Sequence, residues 1–189
     1  MSGGGDVGDI EIRRANHADV AGINALIAAS VRGLNGGLYS PEVVEASIRH
    51  VFGVDTQLVD DQTYFVVESG GALAAAGGWS ARLNTHGGDE TKAGEDPLVD
   101  PEVHPARIRA FFVHPQFARR GLARRLFEKC EGEARARGFR RLALVSTLPG
   151  VPLYQALGFT AVADVPVQMP GGLMLPCVHM VRPIVAAPE

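Results

Sequence analysis

The spacing of apolar residues predicts a strand and two helices in the first third of the chain. Residues 10–14 (IEIRR) have the alternation of a short strand. The next segment predicts a helix with Asn16 as its N-cap, and its apolar face is formed by Val20, Ile23, Leu26 and Ile27. A second helix is predicted in SPEVVEASIRHVFG, where Ser40 is the cap and Pro41 takes the first helical position.

A hairpin and a long polar segment follow these helices. TYFVVE and ALAAAGGWS are typical of strands, and the SGG between them is typical of a tight turn. The pair Gly77 and Gly78 weakens the second strand and indicates a bulge or a close backbone approach. Residues 81–106 are acidic and rich in Gly and Pro, which predicts a long loop within the domain. We expect an ordered lid or a substrate-side loop there.

The rest of the chain alternates strand-like and helix-like patterns. RIRAFFVH predicts a strand, RGLARRLFEKCEGEARARG an amphipathic helix, RRLALVST a strand and VPLYQALGF a short helix. Two strands are predicted around residues 161–168 and 174–182, joined by MPGG. The order β-α-α-β-β-β-α-β-α-β-β predicts a single α/β domain with a mixed sheet over residues 9–185, preceded by a flexible tail at residues 1–8.

Composition is that of an ordinary globular domain. The 189 residues are 46% apolar and 21% charged, and no apolar run is long enough to span a bilayer. The start MSGGGDVGDI lacks the charged and apolar regions of a signal peptide. The two cysteines form no paired motif, and Cys130 lies on the apolar face of a predicted helix. A cytoplasmic protein without a membrane partner is the simplest interpretation.

Metal binding is not predicted. His86, Asp89 and Glu90 lie close together in the acidic loop, but their spacing matches no metal-ligand pattern.

Charge is distributed unevenly along the chain, and this indicates an anionic ligand. Residues 107–141 hold ten Arg and one Lys against three Glu, a local balance of +8, whereas the remaining residues carry −11. One basic segment in an acidic chain favours an anionic ligand of limited size. Nucleic acid is disfavoured because no aromatic interleaving or nucleic-acid motif accompanies the basic residues. The alternative is a helix face whose charges are merely solvated.

The basic residues gather where a strand is followed by a helix, in HPQFARRGLAR. No Ser, Thr, Asp or Asn stands at the N-cap position, so the first helix amides lack a side-chain acceptor and are free to bind an anion. Gly121 allows a close approach, and Ala123 keeps the next turn open. Full charges surround this point on Arg119, Arg120, Arg124 and Arg125. Together these features predict a pocket for phosphate or pyrophosphate.

This stretch resembles motif A of the GNAT superfamily, the acetyl-CoA-dependent N-acetyltransferases. In that family a strand ending in V-x-P is followed by Arg/Gln-x-x-Gly-x-Gly/Ala. Here Val113-His114-Pro115 precedes ARRGLA, and Ala118 departs from the pattern because Arg or Gln is usual there. LYQALGF resembles the family's C-terminal L-Y-x-x-x-G-F. The two motifs occur at the family's spacing, and the resemblance covers about residues 10–183.

The resemblance implies a fold and a cofactor site. The fold is the GNAT-like acyl-CoA N-acyltransferase fold, a mixed, mostly antiparallel sheet with splayed central strands flanked by helices. Acetyl-CoA would be the co-substrate, with its pyrophosphate on the loop amides and its pantetheine arm along the preceding strand. Thr147 stands where the family often has Asn. The residues implied to bind the co-substrate are Phe112, Val113, Arg119, Arg120, Gly121, Leu122, Ala123 and Arg124.

The resemblance also implies direct transfer of the acetyl group to a primary amine. Tyr154 matches the family tyrosine beside the sulfur and would protonate the departing thiolate; the alternative is a buried tyrosine bonded to backbone. The Val113 amide would donate to the thioester oxygen. The strand before motif A lacks the carboxylate base that family members often place there. His114, or water relayed through backbone carbonyls or Ser146, would then accept the amine's proton.

The acceptor is expected to be a small-molecule or peptide amine. Tyr39 lies in the break after the first helix, a region that lines the acceptor cleft in similar enzymes. Trp79 ends a strand beside the glycine pair and is a second candidate, with a core position as its alternative. Asp89 and Glu90 of the acidic loop would favour a cationic amine by electrostatic steering.

Two alternatives concern function and assembly. The missing carboxylate base and the altered Ala118 position leave a non-catalytic acyl-CoA-binding sensor or regulatory module as the alternative function. The edges of the C-terminal strands could pair between subunits, which would give a homodimer.

Overall fold

The computed structural model describes residues 10–84, 88–89 and 96–185. Within them, the chain forms in order β1 (Ile10–Arg14), α1 (Val20–Gly33), α2 (Pro41–His50), α3 (Thr56–Asp60), β2 (Tyr64–Ser69), β3 (Ala72–Ser80), β4 (Ala106–Val113), α4 (Leu122–Ala136), β5 (Arg141–Thr147), α5 (Val151–Ala156), β6 (Thr160–Asp164), β7 (Val167–Gln168), β8 (Met174–Leu175) and β9 (Cys177–Pro183).

Seven of these strands form one mixed sheet, which confirms the predicted fold class. The strand order is β1-β2-β3-β4-β5-β9-β6. Every neighbouring pair is antiparallel except β4 and β5, which run parallel. A parallel neighbour requires a crossover connection, and α4 provides it between β4 and β5.

Helices cover the two faces of this sheet and bury separate apolar clusters. On one face, α4 packs on β2, β3 and β4, where Phe127 joins Phe65 in the larger cluster. On the other face, α1 packs on β3 and β4, and Ile23 contacts the cluster that contains Tyr64 and Val66. Alternation of side chains along β2 explains this division. We call these surfaces the α4 face and the α1 face.

The sheet opens between its two parallel strands. β4 and β5 pair only at Ala106 with Leu142 and at Arg107 with Ala143, and they diverge beyond those residues. On the other side of β4, the register with β3 shifts between Ala76 and Gly78. Ala110 has a φ of 53°, a left-handed conformation that favours glycine, and its carbonyl accepts a hydrogen bond from the Tyr64 hydroxyl at 3.1 Å. The bulge and the divergence together make a wedge-shaped gap.

Two parts of the fold differ from the sequence prediction. Helix α3 was not predicted; it begins at an N-cap, Asp55, whose side chain accepts from the Gln57 amide at 3.0 Å. The strand predicted over residues 161–168 is interrupted, because Pro166 has no amide to donate. MPGG therefore joins β7 and β8, a separate two-stranded sheet, rather than two strands of the main sheet.

The ends of the acidic loop are attached to the domain. Arg82 pairs with Asp61 at 2.6 Å, and the Asn84 amide donates to Asp96 at 2.8 Å. Residues 1–9, His86 and Glu90 lie outside the described residues. In the part of the chain that the structure describes, no group of His, Cys, Asp and Glu side chains is arranged to hold a metal ion. No helix formed by the described residues is both long and apolar enough to cross a membrane.

The predicted close backbone approach at Gly78 is confirmed and gives a stability test. A Cβ atom at Gly78 would lie 2.6 Å from the Thr63 carbonyl oxygen and 3.0 Å from the Tyr64 Cα. Neither atom belongs to a flexible side chain, so Gly78→Ala should lower the free energy of unfolding by about 1–3 kcal/mol. Gly132→Ala is the control, since that position in α4 is exposed and has open space around it. It should raise stability by about 0.4–1 kcal/mol in urea denaturation, and equal effects of the two changes would contradict this account.

Candidate active site

The start of α4 has the uncapped geometry that the sequence predicts. Gly121 is the N-cap residue, with a φ of 76°, and no side chain caps the helix. The amides of the first turn therefore have no side-chain acceptor and carry the partial positive charge of a helix N-terminus. A Cβ at Gly121 would meet no atom within 4 Å, so the glycine is required by its backbone angle rather than by crowding.

Cationic side chains surround this helix start. Arg119 also has a left-handed φ, 62°, and the Arg120 guanidinium lies 5.2 Å from the centre of the Phe117 ring. Arg119, Arg120 and Arg124 are exposed, and none forms an ion pair with a carboxylate of the described residues. Leu122 differs from them because its side chain is buried in the core, so only its backbone is available to a ligand. The helix start thus combines uncapped amides with exposed positive charge, features that suit an anionic ligand.

A cleft leads from this site into the gap between β4 and β5. Its walls are mostly apolar and include three residues implied to bind the co-substrate, namely Phe112, Val113 and Ala123. Thr147 and Gly150 line the opposite side. We call this space the donor cleft.

A second cavity continues the gap at its inner end. It shares Phe52, Phe111, Phe112, Thr147, Gly150 and Leu153 with the donor cleft. Its other lining residues include the polar side chains of Arg109, Ser146 and Tyr154. We call it the inner cavity. Because the two spaces share walls, a ligand that extends from the donor cleft into the inner cavity would end beside these three side chains.

Tyr154 lines the inner cavity. Its ring packs edge-on against Phe159, with the ring centres 5.7 Å apart. Its hydroxyl has no hydrogen-bond partner among the described residues, so the alternative of a hydroxyl tied to backbone receives no support from the structure. Burial raises the pKa of Tyr154 well above its ordinary value near 10, and the group stays a proton donor at neutral pH.

The two groups considered for proton removal lie in different places. His114 is at the turn before α4, where its Nδ1 accepts from the Gln116 amide at 3.3 Å, and it is not among the described residues that line either cavity. Ser146 lines the inner cavity and is buried, and its hydroxyl donates to the Thr147 carbonyl at 2.8 Å. The geometry favours Ser146 over His114 for any contact with a reacting amine.

Tyr39 lines the donor cleft but has both hydroxyl functions engaged. The hydroxyl donates to the Pro176 carbonyl at 2.6 Å and accepts from the Leu148 amide at 2.7 Å. Burial raises the pKa of Tyr39 to about 12, although the bond from the Leu148 amide opposes this shift. Tyr39 therefore joins the segment after α1 to the segments before α5 and before β9, which together enclose the cleft.

Trp79 is not at the site. Its side chain is fully buried on the α4 face, where Nε1 donates to Glu133 at 3.3 Å and the ring packs edge-on against Phe139. It lines neither cavity. The structure places Trp79 in the core, which was the alternative interpretation of this residue. The alternation of side chains along β3 directs Trp79 under α4 and away from the gap.

An ion pair behind the inner cavity was missed by sequence reasoning. Arg109 on β4 and Asp55, the N-cap of α3, lie 2.9 Å apart with each side chain only 2% exposed. Arg109 also donates to the Asn84 carbonyl at 3.1 Å, which ties the acidic loop to β4. A charged residue inside an apolar strand signals a buried partner. The partner was not identifiable because α3 was not predicted.

Asp89, expected to steer a cationic acceptor, has a structural contact. Its side chain accepts a hydrogen bond from the Thr56 amide at 3.0 Å, at the first turn of α3.

Comparisons with known proteins agree with this geometry. The family model described as Acetyltransferase (GNAT) family matches residues 38–159, more than half of the chain. No curated protein matches the chain.

Several solved structures have a similar fold. A GCN5-related N-acetyltransferase from Rhodopseudomonas palustris aligns with a TM-score of 0.69 and 19% identity over 96% of this chain and 99% of its own. The PaiA N-acetyltransferase from Thermoplasma acidophilum, solved with coenzyme A, aligns with a TM-score of 0.63 and 13% identity over 93% and 99%. The protein yncA from Salmonella typhimurium, solved with acetyl-CoA, aligns with a TM-score of 0.60 and 20% identity over 96% and 98%.

The two site tyrosines allow a test of the structural role of Tyr39. Tyr39→Phe would leave the Leu148 amide and the Pro176 carbonyl without their partner, so we expect it to lower the free energy of unfolding by about 1–3 kcal/mol. Tyr154→Phe is the matched control and should change stability by less than about 0.5 kcal/mol, because that hydroxyl has no partner to lose. Urea denaturation measures both. Unchanged stability of Tyr39→Phe would favour a ligand contact as the main role of its hydroxyl.

Proposed function

Because the chain belongs to the acetyltransferase (GNAT) family, we propose that it moves the acetyl group of acetyl-CoA to a primary amine of a small molecule or peptide. One observation carries this proposal most directly. An uncapped helix start with a left-handed glycine opens onto a gap between diverging parallel strands, and that gap leads to an unbonded tyrosine hydroxyl. An anion site, a channel and a proton donor thus lie in series.

The donor would bind along this series. Its pyrophosphate would accept hydrogen bonds from the amides at the start of α4, with Arg119, Arg120 and Arg124 balancing its charge. Its pantetheine arm would lie in the apolar donor cleft against Phe112 and Val113. Ala118 removes one side-chain donor relative to the family pattern but no backbone amide.

The β4 backbone supplies a donor for the thioester oxygen. The His114 amide donates to the Ala74 carbonyl of β3. Amides alternate in direction along a strand, so the Val113 amide points toward the side where β5 has diverged and offers no strand partner. This free amide would stabilise negative charge that develops on the thioester oxygen during attack.

The reaction would proceed by direct attack. The neutral amine nitrogen forms a bond to the acetyl carbon, and the carbon–sulfur bond breaks. Tyr154 gives its proton to the departing thiolate, and the proton of the new ammonium passes to water, relayed by Ser146 and backbone carbonyls. Products are the acetamide and free coenzyme A, and the proton lost by Tyr154 is replaced from solvent.

The assembly and the cellular location of the protein are separate from the reaction. All five residues of β6 are exposed, and β6 is one of the two outer strands of the sheet, which supports pairing of two copies along this edge. Light scattering in solution measures that state. A cytoplasmic location stays a prediction from the sequence.

Calorimetric titration of acetyl-CoA tests the donor site. Wild-type protein should bind with micromolar affinity, and the variant Arg120→Glu with Arg124→Glu should bind at least about tenfold more weakly, since each charged contact contributes on the order of 1.5–3 kcal/mol. Arg49→Glu with Arg140→Glu is the control, because it changes net charge equally at exposed positions away from the start of α4. Absence of binding by folded wild-type protein would refute the proposed function.

Turnover of Tyr154→Phe separates an enzyme from an acyl-CoA sensor. We expect kcat to fall about a hundredfold, with the dissociation constant of acetyl-CoA unchanged. Because burial raises the pKa of Tyr154, its ionisation should cause no loss of wild-type activity below about pH 10. Release of free thiol from acetyl-CoA in the presence of an amine panel measures the rate. Binding without turnover of any amine would identify the sensor instead.

A further inference from the structure

Two arginines of β4 point to the α1 face. Ile108 packs in the core of the α4 face, so its neighbours Arg107 and Arg109 lie on the opposite face. Arg109 and Ala110, on that side of β4, line the inner cavity, as does Ile108 on the other side. Arg107 lies two residues before Arg109, at the last position where β4 still pairs with β5.

The same face continues across the next two strands and carries a third basic residue. Arg107 pairs with Ala143 of β5. Val145, two residues on, lines the inner cavity and pairs with His179 of β9. Paired residues point to the same side of a sheet. Arg107, Arg109 and His179 therefore lie on one side of the sheet, with Ala143 and Val145 of β5 between the arginines and the histidine. On this side Arg109 and Val145 line the inner cavity.

The two arginines differ in their partners. Arg109 is paired with Asp55, so its charge is balanced within the protein. Arg107 forms no ion pair with any described carboxylate, and its Nε is buried without a hydrogen-bond partner. Burial and the nearby charge of Arg109 lower the pKa of Arg107. A half-buried guanidinium without a partner is an unusual arrangement, because buried polar groups are nearly always hydrogen-bonded.

We propose that Arg107 binds a carboxylate of the acceptor, so that the acceptor class is amino acids and related amino carboxylic acids. This inference rests on the proposed acetyltransfer. The planar fork of a guanidinium matches a carboxylate, and its buried Nε–H would gain the acceptor that the protein lacks. The acceptor's amine would then lie in the inner cavity near Ser146 and Tyr154, while its carboxylate lies on the α1 face.

The carboxylates in the described part of the acidic loop have hydrogen-bond partners of their own. Asp89 accepts from the Thr56 amide, Asp96 from the Asn84 amide and Asp100 from the Glu102 amide. These carboxylates have local partners in the loop and in α3. Asp89 is one of the two residues expected to attract a cationic acceptor; the other, Glu90, lies outside the described residues. Arg107, by contrast, has a buried Nε without a hydrogen-bond partner in the described part of the chain.

The test compares acids with their amides. Full-length protein and acetyl-CoA are assayed with the standard L-amino acids, β-alanine and γ-aminobutyrate, each beside its primary carboxamide. The variants are Arg107→Gln, Arg107→Lys and, as control, Arg140→Gln, a matched change at an exposed position. Rates are compared as kcat/KM for the neutral amine, so that the different amine pKa values of acids and amides do not enter. Acetyl-CoA titrations and urea denaturation accompany each variant.

We expect at least one acid to exceed its amide by about tenfold or more in kcat/KM, because an amide leaves the guanidinium without a charged partner. Arg107→Gln should remove this preference mainly through a higher KM, with acetyl-CoA affinity unchanged. Arg107→Lys should restore part of it, and Arg140→Gln should behave as wild type. A purely structural role for Arg107 would lower stability and reduce acids and amides alike.

Other outcomes overturn the inference, and they are distinct from failure of the proposed function. Acetylation of amides or simple amines as fast as acids would refute the carboxylate site and leave acetyltransfer intact. An acid preference that survives Arg107→Gln would refute the role of Arg107. Where no acceptor turns over, the N-acetylated acids are titrated into coenzyme A-saturated protein; no binding, or binding equal to that of their amides, refutes the inference. Failure of acetyl-CoA itself to bind refutes the proposed function.

Discussion

The divergence of β4 from β5 is the constraint on which the rest of this structure depends. Two adjacent parallel strands normally exchange hydrogen bonds along their length, and here they do so at only two residue pairs. Beyond these pairs, the backbone amides and carbonyls on the facing edges of β4 and β5 have no hydrogen-bond partner in the opposite strand. The bulge at Ala110 and the glycine pair of β3 allow β4 to bend away while its register with β3 resumes at Ala76. The cleft, the inner cavity and the Val113 amide that has no partner in β5 all follow from that bend.

Electrostatics divides this gap into two ends of different character. The outer end is a helix start with exposed arginines and no described counter-ion, which suits a strongly hydrated polyanion that arrives from solvent. The inner end has buried charges, and there each guanidinium is costly unless it is paired. Asp55 satisfies Arg109 from a short helix on another part of the chain. Arg107 has no such partner among the described residues, so at the inner end the protein balances the charge of one guanidinium and leaves the other unpaired.

Local patterns in the sequence predicted the elements that recur with clear periodicity or caps. Asn16 and Ser40 cap their segments as predicted, and the sequence HPQFARRGLAR correctly predicted that α4 has no side-chain cap. Contacts between residues far apart in the chain could not be predicted from the sequence. Trp79 and Tyr39 were both candidates by position, but only the sheet register shows that Trp79 points under α4. The hydroxyl of Tyr39 meets Leu148 and Pro176, which are over one hundred residues away in sequence. The Asp55–Arg109 pair likewise depends on a five-residue helix too short to show a period.

The two-pair junction of β4 and β5 has a mechanical consequence. Strands β1 to β4 and strands β5, β9 and β6 form two ladders, each continuous within itself, with the crossover helix α4 and these pairs between them. A change in the width of the gap would break no further strand-to-strand hydrogen bond between the two ladders, because the described residues of β4 and β5 form no pair beyond Arg107 and Ala143. The Tyr39 hydroxyl joins the segment after α1 to the far ladder at the opposite rim. The gap is therefore bounded at one end by the two β4–β5 residue pairs and at the other by the hydrogen bonds of the Tyr39 hydroxyl. A change in its width would break none of the hydrogen bonds within the two ladders.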